Sequence, residues 1–136
     1  MRFAGIDVGS RTHMLAIVDE SMQTLLKPTP FDEDAAGYER LRRLLGEPSD
    51  CLVVMEATGH YGNNLFVTLV GWGFSVAVLN PLRTRRFAEE DLKRAKTDTI
   101  DALGIARFGA SKRPAPTIRR EPALEQLREF VRLRTR

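Results

Sequence analysis

The sequence predicts an α/β domain built around a mixed β-sheet. Three short apolar segments near the N-terminus, joined by short turns, predict an antiparallel meander. The continuous apolar run at 51–55 is typical of a parallel strand buried on both faces. A strand–helix–strand pattern over 51–79 predicts a right-handed crossover. With 136 residues, 43% of them hydrophobic, the chain is long enough for one domain with a substantial core.

The meander and a capped helix account for the first 46 residues. Residues 2–8, 13–18 and 22–27 predict the three strands, and we expect the two prolines that follow, Pro28 and Pro30, to end the third. A helix is predicted next, with Asp34 as its N-cap. It runs to about Leu45, and Gly46 ends it.

The remainder of the chain predicts the parallel part of the sheet and a basic C-terminal region. The predicted elements are a strand at 51–55, a helix at 61–71, a strand at 74–79, and helices at 82–93 and about 98–109. This order favours a ribonuclease-H-like sheet of five strands, in which the first and fourth strands are adjacent and parallel.

The predicted organisation has three parts. Residues 1–110 form the globular domain, 111–122 a basic, proline-rich linker, and 123–136 the start of a charged helix. Because that helix has no stop signal, we expect the chain to be part of a longer protein.

Composition excludes several classes of protein. No apolar stretch approaches the ~20 residues of a membrane-spanning helix, so we expect no membrane partner. The single cysteine, Cys51, excludes a disulfide framework and a cysteine-based zinc site, and a reducing cytoplasm fits best.

Charge is distributed unevenly along the chain. Residues 1–82 contain 6 of the 21 basic and 10 of the 18 acidic residues, a net charge of −4. Residues 83–136 contain the other 15 basic and 8 acidic residues, a net charge of +7. This predicts a nucleic-acid partner for the C-terminal part, although a solvated helical surface would look the same. The candidate phosphate contacts are Arg83, Arg85, Arg86, Lys93, Arg94, Lys96, Lys112, Arg113, Arg119 and Arg120.

Four carboxylates form the candidate catalytic and metal site. Asp7 and Glu56 lie at the carboxyl ends of strands that the predicted sheet makes neighbours, and Asp98 and Asp101 share one face of a predicted helix. Converging carboxylates require a cation, and oxygen ligands select Mg²⁺ or Mn²⁺. Two such ions would hold the attacking and leaving oxygens of a phosphodiester displacement. Taken singly, Asp7 also fits a turn cap, Glu56 and Asp98 also fit helix caps, and Asp101 also fits an acid in the first helical turn, where the helix dipole favours negative charge.

Two further residues are auxiliary candidates. Ser10 lies next to the first carboxylate and could hold a metal-bound water or a phosphate, or simply form a turn. His60 follows Glu56 by four residues and could orient substrate, or bond the backbone at a helix start.

Four segments together resemble the N-terminal domain of the DEDD transposases, the Piv-type insertion-sequence recombinases, many of which are guided by a bridge RNA. In this sequence they read GIDVGS at 5–10, MEATGHY at 55–61, LNP at 79–81 and KTDTIDA at 96–102. The first is widespread, whereas EATG followed about 40 residues later by KTDxxDA is specific.

The resemblance implies a RuvC-like fold, a metal-binding tetrad of Asp7, Glu56, Asp98 and Asp101, and site-specific DNA recombination in a prokaryotic cytoplasm. It also implies a guide RNA, and dimers or tetramers supported by a coiled coil. Family members carry a serine nucleophile in a second domain, and no serine here lies in a matching motif, so we expect this chain alone to be inactive.

Three other functions remain open on the sequence. The chain could be a stand-alone RuvC-like Holliday-junction resolvase or nuclease, although its unfinished helix argues against this. The GIDVGS segment also occurs in sugar-kinase-like ATPases, which need a second lobe. A non-catalytic nucleic-acid-binding assembly module would bind independently of magnesium.

Overall fold

A computed structural model describes residues 1–56, 61–79 and 101–117, which form a mixed sheet with helices on both faces. In chain order the described elements are β1 (Arg2–Asp7), β2 (Thr12–Asp19), β3 (Thr24–Asp32), α1 (Ala35–Leu45), β4 (Cys51–Glu56), α2 (Asn63–Gly71), β5 (Ser75–Leu79) and α3 (Ala102–Lys112). The strand order is β3-β2-β1-β4-β5. β1 pairs antiparallel with β2 and parallel with β4, which confirms the ribonuclease-H-like arrangement predicted from the sequence.

The third strand is longer than predicted. Pro28 and Pro30 do not end it, because β3 continues to Asp32 and Met14 pairs with Pro30. β3 lies at the edge of the sheet, where a residue without a backbone N–H can leave its outer side unpaired. The prediction failed because proline excludes a central strand and not an edge strand.

The central strands are buried on both faces, which explains the unbroken apolar run in β4. Val53 and Met55 belong to the core beneath α1 and α2, whereas Leu52 and Val54 belong to the core beneath α3. Successive side chains of a strand point to opposite faces, so both sets must be apolar.

Helix α1 has the ends that its sequence predicts. The Asp34 side chain accepts a hydrogen bond from the backbone N–H of Gly37 at 2.7 Å, and Gly46 follows the last turn with a φ of 69°. An N-cap and a positive-φ glycine satisfy backbone groups that a helix leaves without partners at its two ends.

Helix α3 packs against β1 at unusually short range. A Cβ atom added to Gly5 would lie 2.3 Å from both the Ala102 carbonyl oxygen and the Ala106 amide nitrogen. The missing side chain therefore lets the helix backbone lie directly on the strand.

The start of α3 corrects the predicted helix at 98–109. Asp101 has an extended backbone, with φ −85° and ψ 177°, and the helix runs from Ala102 to Lys112. The first two residues of the predicted linker are therefore helical. The predicted helix at 82–93, the linker beyond 117 and the helix from 123 lie outside the described residues. Among the helices described, none is long and apolar enough to cross a membrane.

Candidate metal and catalytic site

Asp7 and Glu56 lie at the same edge and on the same face of the sheet. They are the last residues of β1 and β4, and the parallel register pairs the residues just before them, Ile6 and Met55. Alternation places Asp7 on the face of Phe3, and Glu56 on that of Leu52 and Val54, which is the face covered by α3. The predicted juxtaposition of these two strand ends is thus present in the sheet.

Asp101 approaches the same edge from the helix above. It is the N-cap of α3, and its side chain accepts a hydrogen bond from the Gly104 backbone N–H at 2.8 Å. This bond uses the Oδ1 atom of Asp101. The sequence alternative for Asp101 is an acid in the first helical turn; the structure corrects this, because Asp101 is the N-cap residue just before the helix. Any ligand role is additional to this capping bond.

Burial and one neighbouring carboxylate both disfavour the ionised form of Asp7. Burial raises the pKa of Asp7 above its ordinary value of 3.8, and the charge of Asp101 raises it further. His13 has a smaller opposing effect on the same pKa. A carboxylate whose ionised form is disfavoured by burial and by a second carboxylate is a suitable ligand for a cation.

The four-carboxylate set is only partly described. Asp98 lies outside the described residues, and so does His60. Within the described ranges, no three histidine, cysteine or acidic side chains are close enough to one another to hold a metal ion. The oxygen donors of Asp7, Glu56 and Asp101 suit a hard divalent cation in chemistry, but these three carboxylates are not close enough together in the described structure to hold one by themselves.

Ser10 lies in the short loop that joins Asp7 to β2. It is exposed, and with Arg11 and Thr12 it lines an open cavity of about 430 Å³. The other wall of this cavity is formed by Asp32, Glu33 and Asp34. Ser10 is therefore accessible from solvent beside the first carboxylate.

The two basic candidates that the structure describes lie far from this edge. Lys112 ends α3 and Arg113 is its C-cap, at the opposite end of the helix from Asp101. The Arg113 guanidinium lies 5.5 Å from the ring centroid of Phe3, near the start of β1. The remaining eight lie outside the described residues: Arg83, Arg85, Arg86, Lys93, Arg94, Lys96, Arg119 and Arg120.

A polar network behind the Asp7 loop was not found by sequence reasoning. The buried His13 ring accepts a hydrogen bond from the Gly9 backbone N–H at 3.1 Å through Nδ1, so its proton is on Nε2, 2.7 Å from Glu33 Oε1. Tyr38 and Asn64 also donate to the Glu33 carboxylate. We refer to His13, Glu33, Tyr38 and Asn64 as the Glu33 network.

The Glu33 carboxylate is held in its ionised form. Burial would raise the pKa of Glu33, but the hydrogen bonds from His13, Asn64 and Tyr38 together outweigh it and hold the pKa below its ordinary value of 4.5. The sequence signal for this network is the position of His13, which shares the inward face of β2 with Leu15 and Ile17. The two hydrogen-bond partners of His13, the Gly9 N–H and the Glu33 carboxylate, lie outside β2 and leave no local pattern.

Sequence comparison relates this chain to known transposases. A family profile described as a transposase, the DEDD transposase domain of IS110-type elements, matches residues 4–136. A mini-circle transposase for IS117 from Streptomyces coelicolor is 36% identical over 112 residues, which cover 78% of this chain and 26% of the relative. The pilin gene-inverting protein of Moraxella lacunata is 36% identical over 62 residues, which cover 46% of this chain and 19% of the relative. The chain thus spans about a quarter or less of the length of these relatives.

Structural comparison supports the fold alone. The chain is similar to RuvC of T. thermophilus in complex with a Holliday junction substrate, with 21% identity, a TM-score of 0.51, and coverage of 85% of this chain and 98% of that one. It is also similar to the Holliday junction resolvase of fowlpox virus, with 15% identity, a TM-score of 0.50, and coverage of 82% and 96%. Both likenesses support the ribonuclease-H-like fold of this chain.

Proposed function

Because this chain belongs to the IS110 family of DEDD transposases, we propose that it supplies the metal ligands for phosphoryl transfer on DNA. The observations that carry the proposal are that Asp7 and Glu56 end neighbouring parallel strands on one face of the sheet, and that the charge of Asp101 acts on Asp7 from the start of α3. The pKa of Asp7 is raised mainly by burial and further by the charge of Asp101, and a bound cation would offset both effects.

The proposed ligands are the four acids of the family pattern. Asp7, Glu56 and Asp101 present carboxylate oxygens from two strand ends and a helix start, and Asp98 is proposed to complete the set. When bound there, Mg²⁺ or Mn²⁺ supplies Lewis-acid stabilisation of the attacking and leaving oxygens of a phosphodiester. The protein orients these carboxylates through the parallel register of β1 and β4 and through the close contact of α3 with Gly5.

The partners of the whole protein follow from its family membership as proposals. We propose DNA as the substrate, a guide RNA as a partner, a dimer or tetramer as the working assembly, and a serine outside this chain as the second catalytic group. The ten candidate phosphate contacts named from the sequence, out of the 15 basic residues in 83–136, are the proposed nucleic-acid contacts. Of these, Lys112 and Arg113 would contact nucleic acid away from the carboxylates, because they lie at the other end of α3.

Calorimetric titration of Mn²⁺ into the purified chain tests the metal site. Because Asp101 is also a helix cap, Asp101→Asn is the informative variant: it keeps a side-chain oxygen for the Gly104 N–H and removes the charge. We expect saturable binding in the wild type and its loss in Asp101→Asn, without a decrease in the free energy of unfolding. Asp101→Ala should lose binding and also about 1 kcal/mol of stability.

Two results would contradict the proposal. Equal Mn²⁺ affinity in the wild type and Asp101→Asn would reduce Asp101 to a helix cap. Absence of Mn²⁺ binding in the wild type, together with magnesium-independent binding of DNA, would favour the non-catalytic assembly module. In that case Asp101 would serve only as the cap of α3.

A further inference from the structure

The segments that follow Asp7 and Glu56 are both tied to one side chain. On one side, the Glu33 carboxylate accepts from His13, whose other ring nitrogen accepts from the backbone N–H of Gly9, two residues after Asp7. On the other side, it accepts at 3.1 Å from Asn64, in the first turn of the helix that follows Glu56. We infer that Glu33 is a positioning residue that holds these two carboxylate-bearing segments in one arrangement.

Backbone contacts support the same conclusion at both ends of the Asp7 loop. The Glu33 backbone N–H donates to the Arg11 carbonyl at 2.7 Å, so the loop between β1 and β2 is bonded to the Glu33 network at Gly9 and at Arg11. Neither bond involves Asp7 itself. The loop that leaves the first carboxylate is therefore positioned from outside the metal site.

The two segments also contact each other directly. A Cβ atom added to Gly62, the residue before α2, would lie 2.9 Å from Met55 Cε and 3.4 Å from Val8 Cγ1. Val8 follows Asp7 and Met55 precedes Glu56. Any shift of the start of α2 therefore reaches both carboxylate-bearing segments.

The chemistry of the network requires an acceptor without hydrogens at residue 33. His13 Nε2 donates to Oε1, Asn64 Nδ2 donates to Oε2, and the Tyr38 hydroxyl lies 2.8 Å from both oxygens. A glutamine has nearly the same shape but carries an amide that must face one of these donors. His13 is 1% exposed, so water cannot replace its lost partner.

An exchange of donor and acceptor tests this positioning role. Glu33→Gln turns the amide toward Asn64 and should weaken Mn²⁺ binding by about tenfold, the size of effect seen when partners of metal ligands are changed. Adding Asn64→Asp supplies an acceptor for that amide and should restore most of the affinity. Thr68→Ala is the matched control. Thr68 lies one turn after Asn64 on α2, and with Glu33 and Asn64 it lines a cavity of about 250 Å³. It should leave the affinity unchanged.

Hydrogen exchange of the Gly9 amide gives a readout that does not depend on metal. Asn64→Asp alone places a second carboxylate beside that of Glu33. The repulsion should loosen the Glu33 network and speed hydrogen exchange of the Gly9 amide by roughly tenfold, even though residue 64 and Gly9 lie on different elements. Thr68→Ala should not change it. If Glu33→Gln weakened Mn²⁺ binding only by lowering overall stability, adding Asn64→Asp would lower it further. Recovery of Mn²⁺ affinity in the double variant therefore indicates a positioning role.

The possible results distinguish this inference, which rests on the proposed function, from that function itself. If the wild type binds Mn²⁺ and Glu33→Gln changes only the free energy of unfolding, Glu33 is structural and the inference is wrong. If the wild type binds no Mn²⁺, the proposed function fails, and Gly9 exchange alone decides whether Glu33 couples the two segments. Unchanged Gly9 exchange in Asn64→Asp would overturn the coupling in either case.

Discussion

Asp7 is the residue at which stability and the proposed chemistry oppose each other. Its pKa is raised by burial and by Asp101, so the folded protein binds the Asp7 proton more tightly than the unfolded chain does. Stability contributed by this group is therefore present at low pH and falls as the pH rises from about 3.8 through the raised pKa. A bound cation would reverse this effect, because it favours the ionised carboxylate.

Replacing Asp7 with asparagine should stabilise the metal-free protein at neutral pH. We expect Asp7→Asn to raise the free energy of unfolding by ~0.5 kcal/mol at pH 7, a small amount because solvent screens a half-buried side chain. The difference from the wild type should shrink as the pH falls below 4. Urea unfolding between pH 3 and pH 7 measures it, and a wild type more stable than the variant at pH 7 without metal would contradict the assigned repulsion.

The contact between α3 and β1 is the element-scale feature that brings Asp101 to the sheet edge. Gly5 is required there because a Cβ atom would meet backbone atoms of Ala102 and Ala106, which cannot rotate away. The small residues of α3 continue the contact, since a Cβ at Gly109 would lie 2.7 Å from Val54 Cγ2. These glycines therefore determine how closely α3 lies on the sheet, and not how readily the helix forms.

Gly5→Ala should therefore displace α3 and reduce both stability and metal binding. We expect a loss of about 1–3 kcal/mol, the usual range for overpacking, and a weaker Mn²⁺ affinity because Asp101 moves with its helix. Gly71→Ala is the matched control, because a Cβ there meets nothing within 4 Å. It should be neutral or stabilising by less than ~1 kcal/mol. Similar unfolding curves for the two variants would show that α3 adjusts without cost.

At the scale of the whole molecule, the two edges of the sheet are protected differently. β3 carries Pro28 and Pro30, which cannot donate to another strand. Beside β5, the chain that follows α3 returns to the sheet, where the Thr117 N–H donates to the Val76 carbonyl at 2.7 Å and Thr117 Oγ1 accepts from the Val78 N–H at 2.8 Å. The part of the predicted linker that follows α3 is thus bonded to the sheet at Thr117.

Thr117→Val tests how much this contact contributes. It removes the acceptor of the half-buried Val78 N–H and should lower the free energy of unfolding by about 1 kcal/mol. Thr29→Val on the opposite edge is the control, since Thr29 donates only to the nearby exposed Lys27 carbonyl at 2.7 Å, and we expect no measurable loss. Equal urea midpoints for the two variants would mean that residue 117 leaves the sheet in solution.

Local patterns determined much of this protein. Apolar runs and alternation predicted the five strands, and a capping aspartate and a glycine predicted both ends of α1, because these signals act between residues close in sequence. The same reasoning placed Asp7 and Glu56 at neighbouring strand ends, since parallel register follows from strand order. It failed at β3, where an edge position made prolines tolerable, and at α3, where Asp101 caps the helix from an extended backbone.

Only the tertiary structure decided which side chains meet across elements. In the sequence, Gly5 belongs to the first predicted strand and to the GIDVGS segment, and its contact with α3 exists only because a helix about 100 residues later packs on β1. Glu33 carries no local signal, since its donors His13, Tyr38 and Asn64 come from three different elements. Periodicity reports which face a residue occupies, whereas hydrogen-bond partners across a fold depend on distances that packing alone sets.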